Sequence, residues 1–214
     1  MADVAHFPVC LELAGRRCLV VGGGAVAERR IAGLLEAGAA ITVIAPALTP
    51  ALAALASEGR LRHEPRGYRD GDLAGFDLAL AATDAGDVNA ALAREGRARG
   101  VWVNAADDPA NCTFILPALV RRGDLTVAVS TGGTSPALAR AVREELERYL
   151  TADYATLAQI AAEARRELRA AGRAADATAW RRALGPEVRG LIVERGREAA
   201  KRRLLELLGV TVCA

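Results

Sequence analysis

An α/β fold is predicted by three features of the sequence: a sheet-forming first half, a hairpin-like segment after it and a helical last third. Short β-like runs alternate with apolar residues at helical spacing in the first half, which is the pattern of parallel strands joined by crossover helices. Two further β-like runs follow, and the pattern then becomes almost wholly helical. We therefore expect a doubly wound parallel sheet over residues 1–113, a small α+β segment over residues 114–150 and a helical domain over residues 151–214.

Five β-like runs predict the strands of the sheet. They are residues 17–21, 40–44, 60–64, 78–82 and 100–104. Between the first two runs, apolar side chains at helical spacing predict a crossover helix that Gly38 can close. These helix positions are Val26, Ile31, Leu34 and Leu35. A five-stranded doubly wound sheet is the simplest arrangement that accounts for all the runs.

A hairpin and a capped helix are predicted in the segment that follows the sheet. Two β-like runs, residues 114–120 and 125–130, flank an Arg-Arg-Gly-Asp stretch whose Gly and Asp suit a tight turn. Ser135 is a predicted N-cap, with Pro136 at the first position of an amphipathic helix that runs to Leu150. Breaks in the helical domain are predicted at Gly172, Gly185-Pro186 and Gly209.

Composition restricts the class of protein. The 214 residues carry a formal net charge of +2, which excludes the strongly basic balance of a dedicated nucleic-acid binder. No run reaches the roughly 20 apolar residues that span a bilayer. The four cysteines show no CxxC spacing. We expect a cytoplasmic protein with reduced cysteines that binds neither nucleic acid nor membrane.

A glycine-rich motif connects the first predicted strand to the first predicted helix. Residues 22–27, Gly-Gly-Gly-Ala-Val-Ala, satisfy the Gly-x-Gly-x-x-Gly/Ala pattern in this context. Gly22 can make the tight turn, Gly24 lets the backbone approach a pyrophosphate, and the small Ala27 permits close packing. The helix start then holds the phosphates. The alternative is a turn that merely joins strand to helix, but the position of the motif favours a Rossmann-type dinucleotide site.

The end of the second predicted strand lacks a charged residue. Many NAD-binding folds place an Asp or Glu there for the ribose hydroxyls, whereas this chain has Ile44-Ala45-Pro46-Ala47. No arginine lies immediately there for a 2′-phosphate either. Backbone groups near Pro46 and Ala47 are therefore the expected contacts of the adenosine end. NAD is preferred over NADP, without a residue that decides between them.

The loops after the fourth and fifth predicted strands carry polar residues. Ligands of open α/β sheets lie at the carboxyl ends of the strands, so both loops are expected to border the nicotinamide. Thr83 lies in the first of these loops, and Asp107 and Asp108 lie in the second. The two carboxylates are either functional groups or turn formers ahead of Pro109.

At this point several motifs, in order from about Phe7 to Leu150, resemble the precorrin-2 dehydrogenase/ferrochelatase module of siroheme synthase. The helical tail resembles this module only in length and character. The motifs are Phe7-Pro-Val, Val20-Val-Gly-Gly-Gly-Ala-Val-Ala-Glu-Arg-Arg30, Ala81-Ala-Thr-Asp84, Asn104-Ala-Ala-Asp107, Phe114-Ile-Leu-Pro117 and Val127-Ala-Val-Ser-Thr-Gly-Gly-Thr-Ser-Pro136.

The resemblance implies a homodimer whose N-terminal domain binds NAD, whose central segment (residues 114–150) dimerises, and whose helical domain helps enclose a tetrapyrrole. The implied reaction is transfer of a hydride from precorrin-2 to NAD+, with loss of a proton, to give sirohydrochlorin. Some members of the family then insert Fe2+ to give siroheme. The methyltransferase domain that is fused to this module in some bacteria is expected to be absent.

The resemblance also implies roles for individual residues. Asp107 matches an aspartate implicated in both reactions, and a carboxylate beside the nicotinamide can accept the departing proton. The residues that match or flank the family's NAD contacts, taken with the glycine motif, make up the expected cofactor site. These residues are Gly22, Gly24, Ala25, Val26, Pro46, Ala47 and Thr83.

A second glycine-rich turn precedes Ser135 and is the expected site for substrate carboxylates. Its residues are Ser130, Thr131, Gly132, Gly133 and Thr134. A helix start presents free N–H groups to the eight carboxylates of precorrin-2, but simple helix capping explains the turn equally well. Thr131 stands where the family usually has a serine that is phosphorylated in some relatives. The nearby arginines Arg121, Arg122 and Arg140 are more typical of solvated side chains than of substrate contacts.

No stable metal site is predicted. His6 and His63 are far apart in sequence, and no cysteine or histidine pair has the spacing of metal ligands. Iron insertion would need only transient coordination, so the sequence leaves this activity open.

The sequence leaves two other functions open. One is a regulatory dimer that senses NAD through the same glycine turn and has no catalytic activity. The other is a chelatase that keeps a vestigial cofactor fold. Neither requires Asp107 to act beside a bound nicotinamide.

Overall fold

The protein is described by a computed structural model over residues 5–210. It divides into two compact units, one ending at Leu116 and the other beginning at Pro117. The predicted division into residues 1–113, 114–150 and 151–214 therefore differs by a few residues at its first boundary. The second boundary, which separates a dimerisation segment from a helical domain, stays a prediction.

The first unit is a five-stranded parallel sheet in the order β3-β2-β1-β4-β5, with helices on both faces, as predicted. Alternate residues of β1 point to opposite faces: Cys18 and Val20 join the core that includes helices α1 and α2, and Leu19 and Val21 join the core that includes α3. The elements are β1 (Arg17–Val21), α1 (Ala25–Glu36), β2 (Ala40–Ile44), α2 (Pro50–Ser57), β3 (Arg62–Glu64), β4 (Leu78–Ala81), α3 (Gly86–Arg99), β5 (Trp102–Ala105) and a 3₁₀ turn (Pro109–Asn111).

The strands β1 and β2 have the predicted bounds, but the other three do not. The strand predicted at residues 60–64 begins two residues later because Arg60 N donates to Leu55 O (3.0 Å) and so closes α2. The strand predicted at residues 100–104 begins at Trp102 because Gly100, at φ +70°, caps the end of α3. The fourth strand ends at Ala81, one residue early.

The second unit begins with an antiparallel hairpin and continues as helices. Its elements are β6 (Ala118–Arg122), β7 (Leu125–Val129), α4 (Pro136–Tyr149), α5 (Asp153–Ala170), α6 (Ala177–Ala183), α7 (Pro186–Arg195) and α8 (Arg197–Leu207). The strand predicted from Phe114 starts only at Ala118, because Thr113 and Phe114 bond back to β5. It extends to Arg122, and this leaves a turn centred on Gly123 and Asp124.

Helices α5 to α8 enclose a core of their own. The predicted breaks at Gly172, Gly185-Pro186 and Gly209 are confirmed. A further break at Gly196, at φ +80°, separates α7 from α8 and was not predicted. Within residues 5–210, no helix is both long enough and apolar enough to cross a membrane.

Candidate functional site

The chain order of the strands reverses at β1, which lies between β2 and β4. In open α/β sheets the carboxyl ends of the strands on either side of such a reversal open a crevice in which ligands bind. The glycine motif follows β1 at this point, and Ala82 and Thr83 follow β4. The fold therefore brings the predicted cofactor residues to the edge of the sheet where a ligand is expected.

Two glycines of the motif are required by close backbone approach. Gly22 has φ +114°, and a Cβ there would lie 2.2 Å from the carbonyl oxygen of Ala82. A Cβ on Gly23 would lie 2.1 Å from the carbonyl oxygen of Ala47. The turn is therefore held between the loops that follow β2 and β4. The need for glycine at position 23 cannot be read from the sequence motif, because only the approach of the β2 loop reveals it.

Gly24 faces open space at the start of α1. A Cβ built on it would have no described atom within 4 Å, apart from its chain neighbours and its own helix. It is the N-cap of α1, and its own side chain cannot cap the helix. The first N–H groups of the helix, at Ala25 and Val26, have no acceptor within it. A phosphate group fits this open, electropositive helix start, which suits a dinucleotide.

The loop after β2 contacts a carboxylate that was not predicted from the sequence. Pro46 and Ala47 are exposed in this loop. Thr49, at its end, donates its N–H to Gly23 O (2.9 Å) and its hydroxyl to Oε2 of Glu28 (2.8 Å). Glu28 belongs to α1, so the carboxylate reaches this exit from a neighbouring helix. A search of the end of β2 alone cannot find it.

The loop after β4 is fixed by a buried amide. Thr83 is half-buried, and its carbonyl accepts a hydrogen bond from Nδ2 of Asn89 (3.3 Å). Asn89 is only 4% exposed on the inner face of α3, and its Oδ1 has no hydrogen-bond partner among the described residues. Asn89 thus fixes the loop that carries Thr83. One feature of the sequence could have indicated this role. Asn89 lies three and four residues before Leu92 and Ala93, and so on the apolar face of the helix.

The exit of β5 is linked to α1 by an arginine. Asn104, which is 5% exposed, donates through Nδ2 to Phe114 O (2.9 Å) and accepts at Oδ1 from Nη1 of Arg30. Burial lowers the pKa of the half-buried Arg30, and the Asp107 carboxylate opposes this shift by favouring the charged form. Arg30 is therefore a cation that interacts electrostatically with the predicted catalytic carboxylate. Arg30 lies within the glycine-containing motif, but no role for it was predicted from the sequence.

Part-buried hydrogen bonds tie the end of the loop after β5 back to that strand. The Cys112 thiol accepts from Ala105 N (3.2 Å), and Thr113 Oγ1 accepts from Val103 N (2.8 Å). Burial raises the pKa of the Cys112 thiol, which favours a neutral, structural cysteine. No three His, Cys, Asp or Glu side chains within residues 5–210 are grouped so as to hold a metal ion.

The two candidate carboxylates in this loop differ in their contacts. Asp108 accepts a hydrogen bond from Nδ2 of Asn111 (2.7 Å), as a turn former does. Asp107 is exposed, and no hydrogen bond to its carboxylate is found in the described part of the chain. It has φ +55°, and no other non-glycine residue between positions 5 and 210 has a positive φ. Such backbone strain clusters at functional sites, although the catalytic role of Asp107 stays a prediction.

The predicted substrate residues 130–134 form a self-bonded turn in the second unit. Thr131 Oγ1 donates to Ser135 O and accepts from Ser135 N, both at 3.0 Å. Ser135 caps α4 by accepting from Leu138 N (3.2 Å), as predicted. Gly132 and Gly133 have φ +64° and +89°. The capping explanation of this turn is therefore confirmed, and its contact with substrate stays a prediction.

Arg122 has a structural role in the same unit. Its guanidinium donates to Leu150 O (2.6 Å) and to Glu147 O (2.9 Å), the free carbonyls at the end of α4. It thereby ties the end of β6 to the end of the helix that follows the hairpin. The expectation of a solvated side chain is wrong for this arginine.

Two stretches of the chain match known protein families. Residues 9–118, about half of the chain, match the family described as putative NAD(P)-binding. Residues 122–149 match the family described as sirohaem biosynthesis protein, central. The first match contains the glycine turn and Asp107, and the second contains the self-bonded turn before α4.

Siroheme synthases are similar to most of the chain. That of Chromobacterium violaceum is 43% identical over 203 residues, which cover 94% of this chain and 43% of that protein. That of Methylobacillus flagellatus is 48% identical over 158 residues, covering 74% of this chain and 34% of that protein. The chain thus spans less than half the length of these curated relatives. A solved structure, "SirC, precorrin-2 dehydrogenase", has a TM-score of 0.70 and 29% identity, covering 95% of this chain and 99% of that one.

Proposed function

We propose that this chain, which belongs to the family described as putative NAD(P)-binding and is similar to siroheme synthases, oxidises precorrin-2 to sirohydrochlorin with NAD+ as the electron acceptor. One observation carries the proposal. A glycine turn open at Gly24 lies at the exit of β1, and Asp107 lies at the exit of β5, one strand beyond the neighbouring β4. The match to a structure named precorrin-2 dehydrogenase over 95% of the chain supports the same reaction.

The first part of the proposed mechanism is dinucleotide binding. The free N–H groups of Ala25 and Val26 hold the phosphates, with Gly24 leaving the space that they need. Exposed backbone at Pro46 and Ala47 contacts the adenosine end, and the Thr83 loop contacts the nicotinamide end. NAD+, when bound, supplies the hydride acceptor.

The second part is removal of a proton. Oxidation of precorrin-2 breaks one C–H bond with its electron pair, which leaves as hydride, and releases one proton from the substrate. We assign acceptance of that proton to the Asp107 carboxylate, which no described hydrogen bond occupies. The positive charge of Arg30 interacts with this carboxylate.

The substrate itself carries eight carboxylates, and the proposal assigns some of them to the turn at residues 130–134. Gly132 and Gly133 have no described atom within 4 Å of a built Cβ, so a ligand can approach their backbone. Fe2+ enters the proposal as a second substrate. The tetrapyrrole nitrogens would hold the ion while Asp107 accepts the pyrrole protons.

A homodimer is part of the proposal. The β6–β7 hairpin is a sheet of only two strands, and isolated two-stranded sheets are marginally stable in water. Leu119 of β6 is 39% exposed and Leu138 of α4 is 55% exposed. A second copy that covers these side chains would complete the small core of this segment. We place the reaction in the cytoplasm, where thiols such as Cys18 and Cys112 stay reduced.

An anaerobic assay tests the proposed reaction. Precorrin-2 is mixed with the protein and either NAD+ or NADP+, and the absorbance of the tetrapyrrole is followed before Fe2+ is added. The expected result is oxidation that requires NAD+, followed by a second spectral change on addition of Fe2+. Metal insertion without any dependence on NAD+ would favour a chelatase with a vestigial cofactor fold. Binding of NAD+ without oxidation would favour a regulatory dimer.

A further inference from the structure

Glu28 is the residue of α1 whose carboxylate lies against the loop that follows β2. Its Oε2 accepts the hydroxyl of Thr49 at 2.8 Å. The Thr49 oxygen in turn accepts from Leu52 N (3.3 Å) as the N-cap of α2. Since that oxygen is already an acceptor in the cap, the hydroxyl hydrogen is free to point to Glu28. The carboxylate is therefore held in a fixed place at the exit of β2.

This place adjoins the glycine turn. Thr49 donates its N–H to Gly23 O (2.9 Å), and the Ala47 carbonyl is so close to Gly23 that a Cβ there would lie 2.1 Å from the oxygen. The ribose of a dinucleotide whose phosphates lie on the turn is expected at the exit of β2. No other hydrogen bond to the Glu28 carboxylate is found within residues 5–210, so Oε1 remains available to a ligand.

Two basic side chains of the neighbouring β3 and of the loop after it are already engaged. Residues 45–48, Ala-Pro-Ala-Leu, carry no charge. Arg66, which follows β3, binds both oxygens of Asp72 (2.6 and 2.9 Å) and also contacts Glu64. His63 uses Nε2 in a contact with Ala45 O (2.9 Å). A 2′-phosphate at this exit would therefore meet the negative charge of Glu28. Arg66 is already paired with Asp72 and so offers it little compensation.

We propose that Glu28 determines coenzyme selectivity: its carboxylate accepts a hydrogen bond from the ribose hydroxyl of NAD and repels the 2′-phosphate of NADP. In many dinucleotide-binding folds an acidic residue at the end of β2 has this role. Here the acid comes from α1 and reaches the same exit through Thr49. The inference rests on the proposed function only in requiring that a dinucleotide binds the glycine turn.

Isothermal titration calorimetry of the full chain, without tetrapyrrole, tests the role of Glu28. The dissociation constants of NAD+ and NADP+ are measured for the wild type, for Glu28→Gln and for Glu36→Gln. Glu28→Gln keeps an oxygen for the Thr49 hydroxyl and removes only the charge, whereas Glu36→Gln removes a charge at the far end of the same helix. Thermal unfolding of each variant checks that the fold is intact.

The wild type is expected to bind NAD+ at least about tenfold more tightly than NADP+. The reason is that the Glu28 carboxylate and the 2′-phosphate of NADP+ would repel each other across only several ångströms in a partly solvated site. Glu28→Gln should reduce this ratio about tenfold, mainly by tighter binding of NADP+, and Glu36→Gln should leave the ratio unchanged. An unchanged ratio in Glu28→Gln, or equal affinities in the wild type, overturns the inference alone. If the wild type binds neither coenzyme, the proposed function fails as well. If it binds NAD+ selectively but does not oxidise precorrin-2, only the proposed reaction fails.

Discussion

Arg30 donates a hydrogen bond to the side-chain oxygen of Asn104, although 74 residues separate the two in sequence. The bond joins the helix that starts at the glycine turn to the strand exit that carries Asp107. Asn104 is 5% exposed, so its oxygen has little access to water if the arginine is lost. The two ends of the candidate site are thus coupled through one side-chain contact.

Replacement of Arg30 by Met should lower stability and slow the reaction. The buried Oδ1 of Asn104 would lose its partner, at a cost of about 1–3 kcal/mol in the free energy of unfolding. We expect kcat to fall more than the affinity for NAD+, because the charge of Arg30 interacts with Asp107, whereas the phosphates of NAD+ are expected at Gly24. Urea unfolding and steady-state kinetics measure the two effects. Arg30→Lys should recover part of kcat, and Arg29→Met, at the exposed neighbouring position, should change neither quantity.

Asp107→Asn should abolish most of the activity without loss of stability. Asn tolerates the left-handed conformation, here φ +55°, better than most residues do. Loss of the proton acceptor is expected to reduce kcat by about 100-fold or more. Asp108→Asn is the matched control, because Asn can still bond to Asn111. Full dehydrogenase turnover in a folded Asp107→Asn protein that binds NAD+ would refute the catalytic assignment.

The three glycines of the turn should respond differently to alanine. Gly22→Ala and Gly23→Ala place a Cβ within 2.2 Å of a carbonyl oxygen, so we expect each to cost at least about 2 kcal/mol in stability. Gly24→Ala meets open space and should cost no more than about 1 kcal/mol. It should nevertheless weaken NAD+ binding, because the methyl group occupies the space left for a phosphate. Thermal unfolding with and without NAD+ separates the two effects, and wild-type affinity in Gly24→Ala would contradict this view of the turn.

Stability should fall with acid partly through Glu95 of α3. Burial disfavours its ionisation, but hydrogen bonds from the Tyr68 hydroxyl, Gly71 N (2.9 Å) and Arg99 Nε (2.6 Å) outweigh burial and hold its pKa below the ordinary value of 4.5. A carboxyl whose pKa is depressed by folding stabilises the protein above its unfolded pKa, and this contribution is lost as the pH falls through the folded pKa.

Glu95→Gln should therefore be less stable than the wild type at pH 7, and the difference should shrink below about pH 4.5. Urea midpoints between pH 7 and pH 3 measure this dependence. Glu58→Gln is a suitable control, since Glu58 is exposed and its contact with Arg60 is long, at 3.9 Å. A constant difference between Glu95→Gln and the wild type across the range would contradict the prediction.

The proposed dimer should be sensitive to charge on the hairpin. Leu119→Lys puts a cation on a half-exposed strand of a two-stranded sheet, so the protein is expected to become monomeric at micromolar concentration. Size-exclusion chromatography with light scattering reports the mass. Val193→Lys changes a 75% exposed residue of α7 and should leave the mass unchanged. A monomeric wild type would remove the dimer from the proposal.

Much of the first unit was predictable because its signals are local. The strands β1 and β2 are nearly continuous apolar runs, and their bounds were found to the residue. In the second unit, Ser135 was found as a cap for the same reason, because a capping side chain lies next to the helix it caps. The predicted starts of β3 and β5 were wrong. Gly59 and Gly100, both at positive φ, close α2 and α3 further along the chain than the strand pattern suggests.

The missed residues depend on contacts that span large separations in sequence. Gly23 must be glycine because of a loop more than twenty residues away, and Arg30 meets a partner 74 residues away in sequence. Glu28 was overlooked because the expected acid was sought on β2, not on the helix beside it. Asn89 looked like one polar residue among many on α3 until its burial was known. In each case the partner, and not the residue itself, carries the information.

The tie that Arg122 makes to the end of α4 has a mechanical consequence. Since its guanidinium holds the carbonyls of Leu150 and Glu147, the hairpin cannot peel away without fraying the last turn of the helix. The two elements should open together as one cooperative block with a single opening energy. Amide protons of β6, β7 and the last turn of α4 would then exchange with deuterium at one common protection level.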